Sequence, residues 1–382
     1  MLSVLDQILA AARRLNASDI HLKVGLPPIY RIKGDLRTVR DVPPITEEVI
    51  MAFAEHAMNA RQLQEFETNH EVDLAYSIGD GVRFRTNIFM QRGVPGVVLR
   101  LIPPDIPPFE SLGLPEVVLR LSEEARGLVL VTGITGSGKS TTLAAMIDHI
   151  NRSKACHIVT VEDPIEFAFT DKRSVVNQRE LGLDTMSFTR ALRAALRQDP
   201  DVILVGEMRD VETIEIAMLA AETGHLVLST LHTTDAVETV NRIIAAFPPH
   251  QQGQIRLQLA AVLRGVISQR LLPQADRKRM VPAVEVLVNT ARVRELIEDP
   301  QRTSEIHDAI KEGRHPYGMV SFDQSLTDLV QRRLVTYDTA LRNATIPDDF
   351  ALYFRGVQGG GNQSDWLDQG TSTPGAHGGT KG

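Results

Sequence analysis

Residues 133–141 read Gly-Ile-Thr-Gly-Ser-Gly-Lys-Ser-Thr, a full G-x-x-x-x-G-K-[ST] pattern. The chemistry it offers is phosphate binding. Gly133, Gly136 and Gly138 let the backbone curl until its N–H groups point at anionic oxygens, and the N-terminus of a following helix adds favourable partial charge. Lys139 is then placed to reach the β- and γ-phosphates of a nucleoside triphosphate, and the Ser140 hydroxyl to hold Mg²⁺. Context decides whether such a pattern has this meaning. Gly127-Leu-Val-Leu-Val-Thr132 in front is an apolar run suited to a buried parallel strand, and Thr142 to Ile150 behind has helical periodicity. Strand, loop and helix follow in the order the chemistry requires.

Carboxylates and histidines recur at the ends of other apolar runs. Asp201-Val-Ile-Leu-Val-Gly-Glu207 ends in an acid at the edge of an expected strand, where a carboxylate completes a Mg²⁺ and water site. Gly206 takes the position at which a metal-binding Asp is usual, which favours Glu207 acting through water over direct ligation. Glu162, Asp163 and Glu166 crowd the segment after His157–Val161. Three carboxylates so close repel one another unless a cation is near, and one of them could polarise an attacking water. Candidate metal ligands are thus Ser140, Glu162, Asp163 and Glu207. Gly224-His-Leu-Val-Leu-Ser-Thr-Leu-His-Thr233 places histidines at both ends of an apolar strand. His232 is a candidate sensor of the γ-phosphate and His225 a weaker one, the alternative for each being a structural hydrogen bond. With no third ligand in register they do not form a metal site. Arg83 and Arg85 share one face of an alternating strand, and Arg100 closes Gly96-Val-Val-Leu-Arg. Solvated surface is their ordinary meaning; donation across a subunit boundary to a transferring phosphate is the functional one.

The elements that must hold these residues separate by composition. The chain has 382 residues, enough for two domains. Residues 1–100 mix amphipathic helical stretches (Leu2 to Leu15, Thr46 to Glu67) with strand-like runs (Ile29 to Lys33, Val82 to Phe89), an α+β layout. Residues 101–111 are a proline-rich connector, with four prolines between 102 and 109. From 112 to 355 strand and helix alternate, with buried-strand candidates Leu128–Thr132, His157–Val161, Val202–Val205 and Leu226–Thr230. That is an α/β domain with a parallel sheet covered on both faces. Residues 356–382, with nine glycines and the single Trp366, read as a disordered tail. A net charge of −7 argues against a protein built to coat nucleic acid. Cys156 is the only cysteine, which excludes a disulfide framework. The lack of a signal-peptide layout or a membrane-length apolar run gives the expectation of a soluble, cytoplasmic protein.

Taken together, the phosphate loop 133–141, the acidic box 160–166, Asp201 to Asp210 and the histidine box 223–233 resemble the secretion-type hexameric ATPases in order and spacing. Ala17-Ser-Asp-Ile-His-Leu22, Gly25-Leu-Pro-Pro28, Arg31-Ile-Lys-Gly34 and Val175-Val-Asn-Gln-Arg-Glu180 are similar to the type IV pilus retraction branch, PilT-like. The resemblance implies a RecA-like P-loop domain behind a PAS-like N-terminal domain. It implies a homohexamer that hydrolyses ATP with Mg²⁺ to drive pilus retraction and twitching motility. Its partners would be an inner-membrane platform protein and, indirectly, the pilin fibre, with membrane association only through partners at the cytoplasmic face of the inner membrane. The resemblance gives nucleotide binding to Gly133, Ile134, Thr135, Gly136, Ser137, Gly138, Lys139, Ser140 and Thr141, and the catalytic carboxylate to Glu207, with Glu162 and Asp163 beside it. It gives a histidine-box role to His232, and a trans-acting role to Arg85 and Arg100 with Arg83 near them. Which of Glu207 and Glu162 orients the water stays open. Ala291-Arg-Val-Arg-Glu-Leu-Ile-Glu298 stands where retraction motors usually carry Ala-Ile-Arg-Asn-Leu-Ile-Arg-Glu, so an accessory retraction paralogue or a related assembly ATPase is the alternative. Alternatives of another class are a nucleic-acid translocase on a RecA-like core, although nucleic acid is not expected as a partner, and a nucleotide-gated scaffold that does not hydrolyse.

Overall fold

The computed structural model describes residues 2–15, 17–32, 34–39, 42–79, 82–102 and 106–359. It divides into two compact units. One runs from the N-terminus to Ser111 and adds Leu119–Leu130 and Ser140–Leu231; the other comprises Leu112–Val118, Val131–Lys139 and the chain from His232 onward.

The first unit opens with α1 (Leu2–Arg14), β1 (Ala17–Lys23), β2 (Ile29–Ile32), β3 (Asp35–Thr38), α2 (Glu47–Ala57), α3 (Ala60–Asn69), β4 (Glu71–Ile78), β5 (Val82–Gln91) and β6 (Val94–Leu101). These strands form an antiparallel sheet in the order β3-β2-β1-β6-β5-β4. Leu5, Ile8, Leu9 and Ala12 make the helical stripe with which α1 joins its core, beside Phe53 of α2 and Phe84 and Ile88 of β5. The single helical stretch expected from Thr46 to Glu67 is two helices. Asn59 ends the first by capping the second: its Oδ1 accepts the Gln62 N–H at 2.9 Å while Gln62 Oε1 accepts the Asn59 N–H at 3.0 Å. Part of the proline connector, 103–105, lies outside the described residues.

Next come α4 (Val117–Ser122), β7 (Gly127–Thr132), α5 (Lys139–Ser153), β8 (His157–Glu162), β9 (Val175–Glu180), α6 (Phe188–Ala195), β10 (Val202–Val205), α7 (Val211–Glu222) and β11 (Leu226–Leu231). Within the first unit the strands lie in the order β7-β11-β10-β8-β9. β10 is parallel to both β8 and β11, and β8 to β9. Every residue of β7, β10 and β11 is buried, Ser229 and Thr230 of β11 included, which is why these strands read as largely apolar runs and not as alternation.

The second unit carries α8 (Ala236–Ala245), α9 (Pro249–Val262), β12 (Leu263–Pro273), β13 (Met280–Val288), α10 (Ala291–Glu298), α11 (Ile306–Glu312), α12 (Arg314–Tyr317), α13 (Phe322–Gln331), α14 (Tyr337–Asn343) and α15 (Pro347–Gly359). β12 and β13 pair antiparallel from Gly265↔Val288 to Pro273↔Met280. Phe322, Leu326 and Phe350 pack on Leu272, Val281 and Ala283 of this pair. Tyr337, Phe350 and Phe354 close that core with ring centroids 5.1–6.1 Å apart. α15 extends to Gly359, four residues into the stretch assigned by composition to the tail. The rest of that stretch, Trp366 included, lies outside the described residues.

Candidate nucleotide site

The phosphate loop joins β7 to α5. Gly133, Gly136 and Gly138 have φ of +140°, +79° and +93°, values that side chains with a Cβ avoid. At Gly133 the requirement is doubled, because a Cβ would stand 2.5 Å from both the Gln269 carbonyl oxygen and Ser137 Oγ. Lys139 closes the loop, its Nζ donating to the Gly133 carbonyl at 2.8 Å and the Ile134 carbonyl at 3.1 Å. Ile134, Thr135, Gly136 and Ser140 are exposed and Thr141 half-buried. The Ser137 hydroxyl is buried without a hydrogen-bond partner among the described residues. A curled loop, a lysine folded onto it and an orphaned hydroxyl inside it fit an anion with several acceptor oxygens, as a nucleotide phosphate has. Among the described residues no three His, Cys, Asp or Glu side chains gather as a metal cage. A Mg²⁺ at Ser140 would take most of its oxygens from phosphate and water, which is how this ion is usually held.

At the end of β8 the three crowded carboxylates diverge. Glu162 is 9% exposed, whereas Asp163 and Glu166 face solvent. Burial pushes the Glu162 carboxyl up, partly offset by hydrogen bonds from the Thr160 hydroxyl at 2.6 Å and Gln178 Nε2 at 3.1 Å. Gln178 also ties down the loop beyond, donating to the Phe167 carbonyl and accepting the Phe169 N–H. Two register positions along, Glu180 stands opposite Glu162 and accepts the Ile165 N–H at 3.2 Å. These two β9 side chains support the acidic box and were not singled out as site residues from sequence. The signal was there, as four consecutive polar residues, Asn177 to Glu180, in a segment that forms a strand.

Glu207 follows β10 and accepts a hydrogen bond from Arg209 at 2.8 Å, with 18% of its side chain exposed. Gly206 explains why the acid comes one residue late. A Cβ there would lie 3.2 Å from the Val161 carbonyl oxygen and 3.3 Å from Glu162 Cα, leaving little room for an aspartate between β8 and β10. Carboxylates of Glu162 and Glu207 therefore end neighbouring parallel strands, joined by the Gly206 N–H to the Val161 carbonyl at 2.8 Å.

His225 Nδ1 lies 2.8 Å from the Ala220 carbonyl, so that nitrogen carries the proton and closes the end of α7. His232, directly after β11, is exposed. The histidine box continues into α8 through a dense set of caps. Asp235 accepts the Glu238 N–H at 2.8 Å, and Thr234 donates to Glu238 from both its N–H and its hydroxyl.

The arginines occupy one charged row. Arg31, Asp19, Arg100 and Arg85 are successive cross-strand partners over β2, β1, β6 and β5. Burial raises Asp19, but hydrogen bonds from Arg100 and Ser18 and the Arg100 and Arg31 charges outweigh it, holding the carboxyl below its ordinary value. Arg100 donates to Asp19 at 2.8 Å while 70% of its side chain stays exposed. Arg85 is exposed and has no ion-pair partner among the described residues. Arg83 pairs with Glu180 at 2.9 Å, only 20% of its side chain being exposed. It is engaged inside the chain, with the side chain that holds the acidic box.

A G-x-x-x-x-G-K-[ST] phosphate loop between a buried strand and a helix defines a P-loop nucleotide-binding fold. Within that class the chain belongs to the Type II/IV secretion system protein family, matched over residues 1–351. It is 44% identical to the "Type IV pilus retractation ATPase PilT" of Pseudomonas aeruginosa, over 91% of this chain and 99% of that protein. It is 38% identical to "Type IV pilus ATPase PilU" of the same organism, over 96% of each. Among solved structures, the pilus retraction motor PilT with bound ADP superposes with a TM-score of 0.84 and 46% identity, covering 90% of this chain and 98% of that one.

Proposed function

We propose that the chain is an ATPase motor that retracts type IV pili and so powers twitching motility, working as a homohexamer with Mg²⁺. The observation that carries this reading is the phosphate loop, with Lys139 folded onto it and Ser137 unpaired beneath it, in a chain alike over nine tenths of its length to a retraction ATPase. Residues 133–141 bind the phosphates, and Ser140 holds the metal. Glu207 orients the attacking water, with Glu162 shaping the acidic box beside it and His232 reporting the γ-phosphate. Arg85 and Arg100 serve a neighbouring subunit's nucleotide. Of the two, Arg85 is the better placed to bind a phosphate, having no carboxylate partner among the described residues to give up.

Among the described residues no helix is long and apolar enough to cross a membrane. By its likeness to the pilus motors, the chain would act at the cytoplasmic face of the inner membrane through a platform protein, reaching the pilin fibre indirectly. Replacing the chromosomal copy with Lys139→Ala tests the reading. Cells are expected to make pili but to spread on a surface no better than a deletion strain. Normal twitching with this variant would refute the assignment.

A second reading has one observation behind it. α10, Ala291–Glu298, buries Val293, Leu296 and Ile297, yet its exposed positions differ from the usual retraction element. An accessory motor that needs a principal one fits that departure. Expression as the sole motor separates the two, since an accessory motor alone leaves pili unretracted.

A further inference from the structure

Glu285 lies in the middle of β13, inside the apolar run Val281-Pro-Ala-Val-Glu-Val-Leu-Val288, and is only 4% exposed. From there it can act only through what it touches. Its Oε1 accepts the Ala236 N–H at 2.9 Å, and Ala236 is the first residue of α8, directly behind His232-Thr-Thr-Asp235. On β12 its cross-strand partner is Ser268, whose hydroxyl accepts from Thr132 at 2.9 Å. Thr132 precedes Gly133, and the next β12 residue, Gln269, supplies the carbonyl that lies against Gly133. One strand pair thus carries the entry to the phosphate loop and the exit from the histidine box, with a titratable side chain between them.

We propose that Glu285 is a positioning residue for ATP hydrolysis, fixing the first turn of α8 and with it the His232–Asp235 segment, and doing so more firmly when ionised. The proposal rests on the reading of the chain as an ATPase, not on the direction in which the motor works. A carboxylate at a helix N-terminus meets the positive end of the dipole, and a charge-assisted hydrogen bond is about twice as strong as a neutral one. Several charges bear on the group. Arg270 on β12, stacked 3.9 Å over Phe322, favours the anion, while Asp235 before α8 and Asp323 on α13 oppose it. Asp323 is itself pushed up by burial, with Lys311 of α11 and Arg270 drawing it down and Asp349 of α15 adding to the rise. Burial dominates at Glu285, raising its carboxyl to about 7, so both charge states are populated near neutral pH.

Steady-state hydrolysis of MgATP from pH 6 to pH 8.5 tests this with Glu285→Gln, which keeps the shape and the acceptor but can never ionise. Wild-type kcat is expected to rise about two- to fivefold with a midpoint near pH 7, the size of a charge acting at a helix terminus, with KM unchanged. Glu285→Gln is expected to stay flat at the wild-type low-pH level. Retention of the wild-type rise by a folded Glu285→Gln protein would overturn the proposal. Asp323→Asn gives an independent arm: removing that negative charge should move the wild-type midpoint to lower pH, and an unmoved midpoint counts equally against the proposal. A wild-type protein that hydrolyses nothing at any pH would instead refute the ATPase reading itself.

Discussion

Arg83 shows what the structure adds at the level of one residue. Its position on an arginine-rich strand made it a candidate for phosphate, yet its guanidinium is held by Glu180, a group only 5% exposed. Burial raises Glu180, and the Ile165 N–H and the Arg83 charge offset part of that rise. Arg83→Ala should cost roughly 1–3 kcal/mol, less than a fully buried pair because Arg83 is partly exposed. Denaturant unfolding would measure this, and Arg83→Ala with Glu180→Gln should recover much of the loss, since no buried charge is then left behind. A variant of full stability and impaired turnover would instead return Arg83 to the phosphate. The phosphate-loop residues were legible because their spacing is dictated by local backbone geometry. Glu180, Gln178 and Asp19 were not, because these partners come from 11 to 97 positions away along the chain.

Whole elements were read well where a strand is buried on both faces, and less well where a polar cap intervenes. β7, β10 and β11 appear in the sequence as largely apolar runs, and the expected limits fall within one residue of those observed. The break between α2 and α3 depends on Asn59 and Gln62 satisfying each other, a choice that helical periodicity does not register. β13 hides its most consequential residue in the same way, as a lone acid in an apolar run. The Glu285 carboxyl, raised from 4.5 to about 7, has a consequence for stability with a definite sign. The fold holds that proton more tightly than the unfolded chain does. Its stabilising effect is full below about pH 4.5 and is lost as the pH rises through about 7. Relative to Glu285→Gln, the wild-type protein should lose on the order of 3 kcal/mol over that window and then level off. Unfolding curves at several pH values give the difference directly, and a constant offset between the two proteins would contradict the raised carboxyl.

For the molecule as a whole, the question is whether one chain suffices. The charged row over β2, β1, β6 and β5 ends in Arg85, exposed beside Arg100 and with no ion-pair partner among the described residues. Arg100 already holds the Asp19 carboxylate, so the Arg85 charge beside it is the one that a further anion would offset. If that anion is a neighbour's nucleotide, mixing Arg85→Ala subunits into wild-type rings should depress hydrolysis more than in proportion to their share. A strictly proportional decline would place Arg85 outside the neighbour's site. Most direct of all is ATP hydrolysis by the purified protein at its solution mass, compared with Glu207→Gln. Hexamer-sized particles are expected to turn over ATP, and Glu207→Gln to bind nucleotide as before while losing turnover by about a hundredfold or more. Equal turnover by Glu207→Gln, or a monomer that binds ATP without hydrolysing it, would contradict the motor.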